Sequence, residues 1–367
     1  MTQTVAMKVP FLDLRIPMEE KEALLAAIER VFTHGRFILG PEVMELEEKV
    51  AKYCGRKFAV GVGSGTEALF LGLKALNIGP GDEVITTSLS WIATTNSIAM
   101  TGATPVFADI GDDLNIDPMA IEALITPRTK AIVPVHYTGK VCQMQAILAI
   151  AKKHKIRVAE DAAQAFAATL KGKRSGSFGD VACFSMNPMK IFAACGEAGM
   201  VMTDEEEIYQ RLIPLRYNGT INKERCIATS MNCRLDTIQA AVLLKRFHDV
   251  EGLVAKRREV AEFYRHHLST VVRTPVEREG ERDIYYTYQI QTAKRDELKK
   301  YLEERGIETK IQHPYLMCQQ PLYEKFLRKP VPNAERIVQQ ILCLPMHEKI
   351  TQEELEYVAH CVRSFFA

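Results

Sequence analysis

The chain has 367 residues, 47% of them hydrophobic and 25% charged, which is enough to bury one large α/β domain with a smaller one beside it. Its 47 basic residues are matched by 46 acidic ones, and a formal charge of +1 gives neither nucleic acid nor an anionic membrane a broad electrostatic footing. Any anion recognised here must be met locally.

Nine cysteines, at 54, 142, 183, 195, 226, 233, 318, 343 and 361, are scattered without a Cys-x-x-Cys pair, and the nine histidines form no His-Glu-x-x-His. That pattern reads as reduced core thiols in a cytoplasmic protein, with no metal site expected. Residues 1–9 carry no apolar stretch of the kind a secretion signal has, and no run approaches about 18 apolar residues.

In chain order, Pro10-Phe11-Leu12-Asp13-Leu14 precedes an amphipathic helix predicted over 17–32. Gly40-Pro41 marks a turn into a second helix at 43–53, with Val43, Leu46 and Val50 at helical spacing. A β-rich run at 58–62 then meets Gly63-Ser64-Gly65-Thr66 and a helix over 67–76. A strand that delivers such a turn into a helix N-terminus leaves free amides and the helix dipole facing an anion. The same turn also suits a plain capped helix start. As a dinucleotide fingerprint it is incomplete: Gly61-x-Gly63-x-x-Thr66 lacks the third glycine, and Asp82-Glu83 follows the turn Gly79-Pro80-Gly81 instead of ending a strand.

Strands at 83–86, 104–109, 131–135 and 156–160 alternate with helices that start near 88 and cover 119–124 and 143–154. This is the pattern of a mostly parallel sheet covered on both faces, in which ligands gather beyond the carboxyl ends of the strands. Glu160-Asp161-Ala162-Ala163-Gln164 stands at one such end, where Asp161 can cap the next helix or face a ligand. Two apolar runs, 181–184 and 200–202, bracket a loop that carries Ser185, Lys190, Gly196 and Gly199. Lys190 sits among Met189, Ile191, Phe192, Ala193 and Ala194. An apolar setting disfavours the ammonium and leaves a neutral amine able to attack a carbonyl.

Further on, the sequence predicts a polar helix at 204–212 and a helix start near Asp236. A long charged helix at 243–267 then leads to a C-terminal part with strands near 271–274, 285–291 and 308–312 and helices at 295–304 and 352–365. The division expected is a large domain over 1–245 and a small one over 246–367.

Phe184-Ser185-x-x-x-x-Lys190, followed by Gly196-Glu197-x-Gly199, resembles the Schiff-base segment of the DegT/DnrJ/EryC1/StrS family of sugar aminotransferases. The likeness runs from Pro10 to about His347, through Met231-Asn232-Cys233-Arg234-Leu235-Asp236, the stretch from Gly306 to Tyr315, and Leu344-Pro345-Met346-His347. It implies a pyridoxal phosphate (PLP) enzyme of fold type I, with a large mostly parallel sheet domain and a smaller C-terminal α/β domain. By this resemblance Lys190 carries the cofactor, and Asp161 pairs with the pyridine nitrogen so that the ring acts as an electron sink. Gly65 and Thr66 hold the phosphate, to which Ser185 adds a hydroxyl, and Gln164 lies near the ring hydroxyl. Trp91, the only tryptophan, stacks on the ring in this reading, although an indole is as readily a core residue. Asn232 is expected to reach the phosphate of a neighbouring subunit, which implies a homodimer with shared sites. Asn218 stands where the family commonly has a histidine, and Ala198 replaces a frequent glycine. His313 is a candidate for substrate contact or a loop residue turned to solvent.

The activity so implied is conversion of a keto-sugar, nucleotide-linked or a sugar acid, to an amino sugar. Glutamate is the expected donor, pyridoxamine phosphate the intermediate form of the cofactor, and surface polysaccharide or a secondary metabolite the destination. Three alternatives stand beside it. One is a sugar dehydratase of the same fold, which carries histidine in place of the lysine; another is a nicotinamide-dependent sugar oxidoreductase; the third is a sensor that keeps PLP without turnover.

Overall fold

The computed structural model describes residues 9–367, so residues 1–8 of the terminal stretch read above lie outside it. Helices α1 (Met18–His34) and α2 (Pro41–Cys54) lead into β1 (Phe58–Val62), α3 (Gly65–Ala75), β2 (Glu83–Thr87), α4 (Ala93–Met100) and β3 (Thr104–Ala108). There follow α5 (Pro118–Glu122), β4 (Thr129–Val133), α6 (Met144–His154), β5 (Arg157–Asp161), β6 (Val181–Ser185), β7 (Gly199–Thr203), α7 (Glu206–Leu215) and α8 (Thr237–Arg246). The seven strands form one sheet in the order β1-β7-β6-β5-β4-β2-β3. Only β7 runs against the rest, antiparallel to both β1 and β6. Strands such as Val181-Ala182-Cys183-Phe184 are apolar at consecutive positions because both faces of the sheet are covered.

The C-terminal part comprises α9 (Val250–Leu268), β8 (Tyr288–Gln291), α10 (Arg295–Glu303), α11 (Pro332–Val338), β9 (Ile341–Leu344) and α12 (Gln352–Phe366). β8 and β9 pair antiparallel. Helix α9 spans two cores: Val250 and Val254 pack into the large-sheet cluster, whereas Val260, Ala261 and Tyr264 pack with β8, β9 and α12.

Several expectations need correction. The helix expected over 243–267 is two helices, because the tight 3-10 turn Phe247–Asp249 separates α8 from α9. The strand expected near 271–274 is a single bridge from Arg273 to Gln291, and Pro275 then removes a donor and ends the pairing. Likewise, 308–312 forms no continuous ladder: the Glu308 N–H donates to the Val9 carbonyl at 2.9 Å and Lys310 bridges Cys343, before the left-handed turn at His313, φ 55°. The helix placed from 88 begins at Ala93, which leaves 88–92 as a loop beyond β2. Helix α11, strand β9 and a small antiparallel patch of Thr169–Leu170, Lys173–Arg174 and Glu281–Arg282 were not expected.

Among the described residues no cysteine forms a disulfide; Cys195 and Cys226 are exposed and the other seven buried. Among the described residues no helix is long and apolar enough to cross a membrane.

Candidate active site

At the carboxyl edge of the sheet, β1, β5 and β6 each hand the chain to a segment that borders one cavity of about 700 Å3. From β1 comes the turn into α3. Ser64 caps that helix, its hydroxyl accepting from the Glu67 N–H at 3.1 Å, so Gly65 and Thr66 form the first turn with amides open to an anion. A side chain at residue 65 would not fit: its Cβ would lie 2.5 Å from the Ser185 Cβ at the end of β6. Gly199 of β7 is under the same constraint, since a Cβ there would lie 2.3 Å from the Ser64 carbonyl oxygen. Two glycines thus let the turn and the lysine hairpin close on one another.

From β5 comes Asp161, buried at 3% exposure. Its Oδ2 accepts from the Thr94 hydroxyl at 2.7 Å and its Oδ1 from the Ala163 N–H at 3.2 Å. Burial pushes this carboxyl above the usual range, and Thr94, Ala163 and the nearby charges of Lys190 and His136 offset that only in part. Glu160, one residue earlier, projects from the opposite face of β5 and behaves oppositely. Burial pushes it up as well, but it accepts from His136 at 2.9 Å and from the N–H groups of Gly176, Phe178 and Gly179 at 2.7 to 2.8 Å. With the Arg56 guanidinium beside it, its carboxyl is held below the usual range.

From β6 comes the hairpin loop that carries Lys190. It is closed by the Ala194 N–H to the Met186 carbonyl at 2.8 Å and by the Asn187 amide to Glu197 at 2.6 Å. The half-buried Lys190 donates to the Tyr286 hydroxyl at 3.3 Å, with its Nζ 4.4 Å from that ring's centroid. Tyr286 itself is steadied by α9, where the Arg257 guanidinium donates to the carbonyls of Tyr285 and Tyr286.

Of the residues singled out in the sequence, Gly65, Thr66, Trp91, Asp161, Gln164, Ser185, Lys190 and His313 all line this cavity. Gln164 is oriented by the Thr138 N–H, 3.0 Å from its Oε1. Trp91 is not core: the indole is 60% exposed, 5.7 Å from the His313 ring. Nor does His313 turn to solvent. Burial and the charges of Lys190 and Lys310 push it down to about 3, so its imidazole is neutral, and its Nε2 is buried without a partner. Asn218 and Asn232 stand apart from the cavity. Both are exposed on the segment between α7 and α8, where Asn232 accepts from the Arg234 guanidinium at 2.6 Å and Asn218 has φ 56°.

Thr94, Tyr286 and Lys310 also reach the cavity or its acid, and sequence reasoning missed them. A signal for Tyr286 lay in Tyr285-Tyr286-Thr287-Tyr288, a dense aromatic run after a charged stretch; the other two carried none.

An amine, a buried carboxylate and a cradle for an anion, gathered on one cavity at the edge of a mostly parallel sheet, define a PLP-dependent transferase of fold type I. The residues fit the cofactor. The carboxylate has no competing cation in contact, the amine has one weak polar contact, and the Gly65–Ser185 approach leaves no room for a side chain at the cradle. Residues 18–363 match the family model for the DegT/DnrJ/EryC1/StrS aminotransferases, and the chain belongs to that family.

Among its relatives, a pleiotropic regulatory protein of Geobacillus stearothermophilus is 38% identical over 98% of this chain and 99% of its own. A UDP-N-acetyl-3-dehydro-alpha-D-glucosamine 3-aminotransferase of Acidithiobacillus ferrooxidans is also 38% identical, over 99% of both chains. The crystal structure of S. venezuelae DesV in complex with a ketimine intermediate superposes with a TM-score of 0.94 at 37% identity. That superposition covers 97% of this chain and 98% of the other. The protein is a PLP-dependent sugar aminotransferase, which sets aside the nicotinamide and dehydratase alternatives.

Proposed function

We propose that the protein aminates a nucleotide-linked keto-hexose with glutamate as donor. It would act as a cytoplasmic homodimer and supply an amino sugar for a surface polysaccharide or a secondary metabolite. The observation that carries the chemistry is that Lys190, Asp161 and the capped turn that starts at Ser64 all line one cavity. The nucleotide-linked substrate is favoured by the relative that acts on a UDP sugar.

PLP, when bound, supplies an electron sink for the pair left as an α-carbon loses its proton. Lys190 is the amine that holds the cofactor covalently. As a free amine it would take the proton from the donor's α-carbon and pass it to the cofactor carbon, and in the second half-reaction would carry a proton back from there to the sugar carbon. Asp161 keeps the ring nitrogen protonated, and the Thr94 hydroxyl fixes its orientation. Gly65, Thr66 and Ser185 bind the phosphate, Trp91 covers the ring face, and Gln164 lies at the ring hydroxyl. Asn232, exposed and not among the side chains that line its own cavity, would reach the partner subunit's phosphate site; Asn218, on the same segment, would meet substrate. Both substrates use one cavity, so the kinetics are ping-pong.

A panel of nucleotide-linked keto-sugars incubated with glutamate and the holoenzyme, read by mass spectrometry, is expected to give one aminated product. Absence of product across the panel, with the cofactor bound, would reject the assignment. Lys190→Ala is expected to remove both the visible band of lysine-bound PLP and turnover, by about four orders of magnitude or more.

A further inference from the structure

The cavity wall contributed by the C-terminal part holds a second lysine. Of the described side chains that line the cavity, two are cationic, Lys190 and Lys310, and two are carboxylates, Asp161 and Glu197. Three of the four have an assigned partner or task. Lys190 is the reacting amine, Asp161 serves the ring nitrogen, and Glu197 accepts from the Asn187 amide at 2.6 Å. Lys310 has none. Among the described residues no carboxylate lies within ion-pair distance of it, and its only aromatic neighbour, Phe11, is 6.0 Å away. Its backbone is nevertheless fixed, its carbonyl accepting from the Cys343 N–H at 2.8 Å and its N–H donating to the Cys343 carbonyl at 3.2 Å. Three residues on, His313 is held in a left-handed conformation with Nε2 buried and unpartnered. The exposed Lys310 and the buried ring nitrogen of His313 therefore belong to one wall of the cavity, anchored to β9.

Transamination requires a carboxylate in this cavity whenever the amino donor is an amino acid. At that moment Lys190 would be moving the α-carbon proton and Asp161 would be serving the ring nitrogen, so neither is available to pair with it. Burying a carboxylate without a counter-charge costs several kcal/mol. We propose that Lys310, with His313 Nε2 on the same wall, is the point in the cavity that binds the carboxylate of a substrate. That carboxylate is the α-carboxylate of the amino donor or the one borne by a sugar-acid acceptor. This inference rests on the transaminase reading and specifies how that same site tells its substrates apart.

The test uses the holoenzyme, Lys310→Gln and Lys310→Arg, with the two half-reactions followed separately by the absorbance of the bound cofactor. The donor arm compares L-glutamate with benzylamine; the acceptor arm compares a UDP-linked keto-hexose with its C6 carboxylate counterpart. A third arm measures binding of maleate by calorimetry. Lys310→Gln is expected to weaken maleate binding about ten- to a hundredfold. It should also lower the preference for the carboxylated partner over the uncharged one in one arm, through KM more than kcat, and Lys310→Arg should restore most of both. Loss of preference in the donor arm assigns the site to the amino acid, and loss in the acceptor arm to the sugar acid. Unchanged preferences in both arms with unchanged maleate binding overturn the proposal. If the wild-type enzyme transaminates no donor at all, the functional reading fails by itself, and the maleate arm still decides whether Lys310 binds a carboxylate.

Discussion

The large-domain side of the cavity is made from the ends of regular elements, whereas the facing side is built largely from irregular chain, the segment that carries Tyr286 and the stretch 310–315 with its single bridge to β9 and left-handed turn at His313. On the first side polar groups are partnered and glycines permit contact at near-backbone distance. On the second, a lysine and a ring nitrogen are left without protein partners. Groups that serve an invariant cofactor can be locked in advance. Groups that meet substrates must keep hydrogen-bonding capacity in reserve, and an irregular backbone provides it at some cost in local strain.

The largest expected effect comes from unlocking the first side. Asp161→Asn keeps the Thr94 and Ala163 contacts possible but removes the negative charge. Single-turnover measurements should show kcat reduced by about a hundred- to ten-thousandfold, with the cofactor retained on gel filtration. A rate within a few-fold of wild type would mean that the ring nitrogen needs no carboxylate here. Next is Gly65→Ala, which forces Ser185 and the start of α3 apart. Overpacking of this kind costs about 1–3 kcal/mol, so the cofactor should bind roughly ten- to a hundredfold more weakly in a titration of the apoenzyme. An unchanged affinity would show that the close approach is not what shapes the cradle.

An effect on stability and not on catalysis belongs to the second side, at Asp283, whose Oδ1 accepts from the Tyr285 N–H at 2.7 Å and so anchors the segment that carries Tyr286. Burial pushes this carboxyl up to about 7 against the opposing charge of Lys140. A carboxyl raised in the fold is protonated there while already ionised in the unfolded chain. Its contribution to stability is therefore present below the unfolded value near 3.8 and is lost as pH climbs to about 7. Asp283→Asn keeps the acceptor and removes that loss, so it should stabilise the protein relative to wild type by roughly 2–3 kcal/mol more at pH 8 than at pH 5 in denaturant titrations. A pH-independent difference would contradict the burial of an ionisable group at this position.

The contrast between the two sides also explains what could be read in advance. Strand-to-loop junctions at Gly65, Asp161 and Lys190 announce themselves through apolar runs that end in polar or glycine residues, and the alternation of strands and helices exposes the parallel sheet. The other wall gives no such sign. Residues 308–312 have the composition of a strand yet form no continuous ladder, because the chain turns left-handed at His313, a backbone choice no periodicity reveals. Thr94 was missed since its partner lies 67 positions away, and a lone threonine in a helix has no local mark of that contact. The break between α8 and α9 was hidden because Phe247-His248-Asp249 contains neither glycine nor proline to mark it.

Two adjacent acids on β5 share the same burial yet have carboxyls shifted in opposite directions, one ringed by donors and held down, the other with fewer donors and pushed up. Which of them faces the cavity is decided by how β5 pairs with β4 and β6, at Ile132 with Val158 and at Cys183 with Asp161. A slip of one position would present the glutamate to the cofactor and turn the aspartate toward Arg56. The chemistry of this enzyme is thus written in a frame, like a codon: the letters Glu-Asp mean catalysis only when the sheet reads them in the right phase.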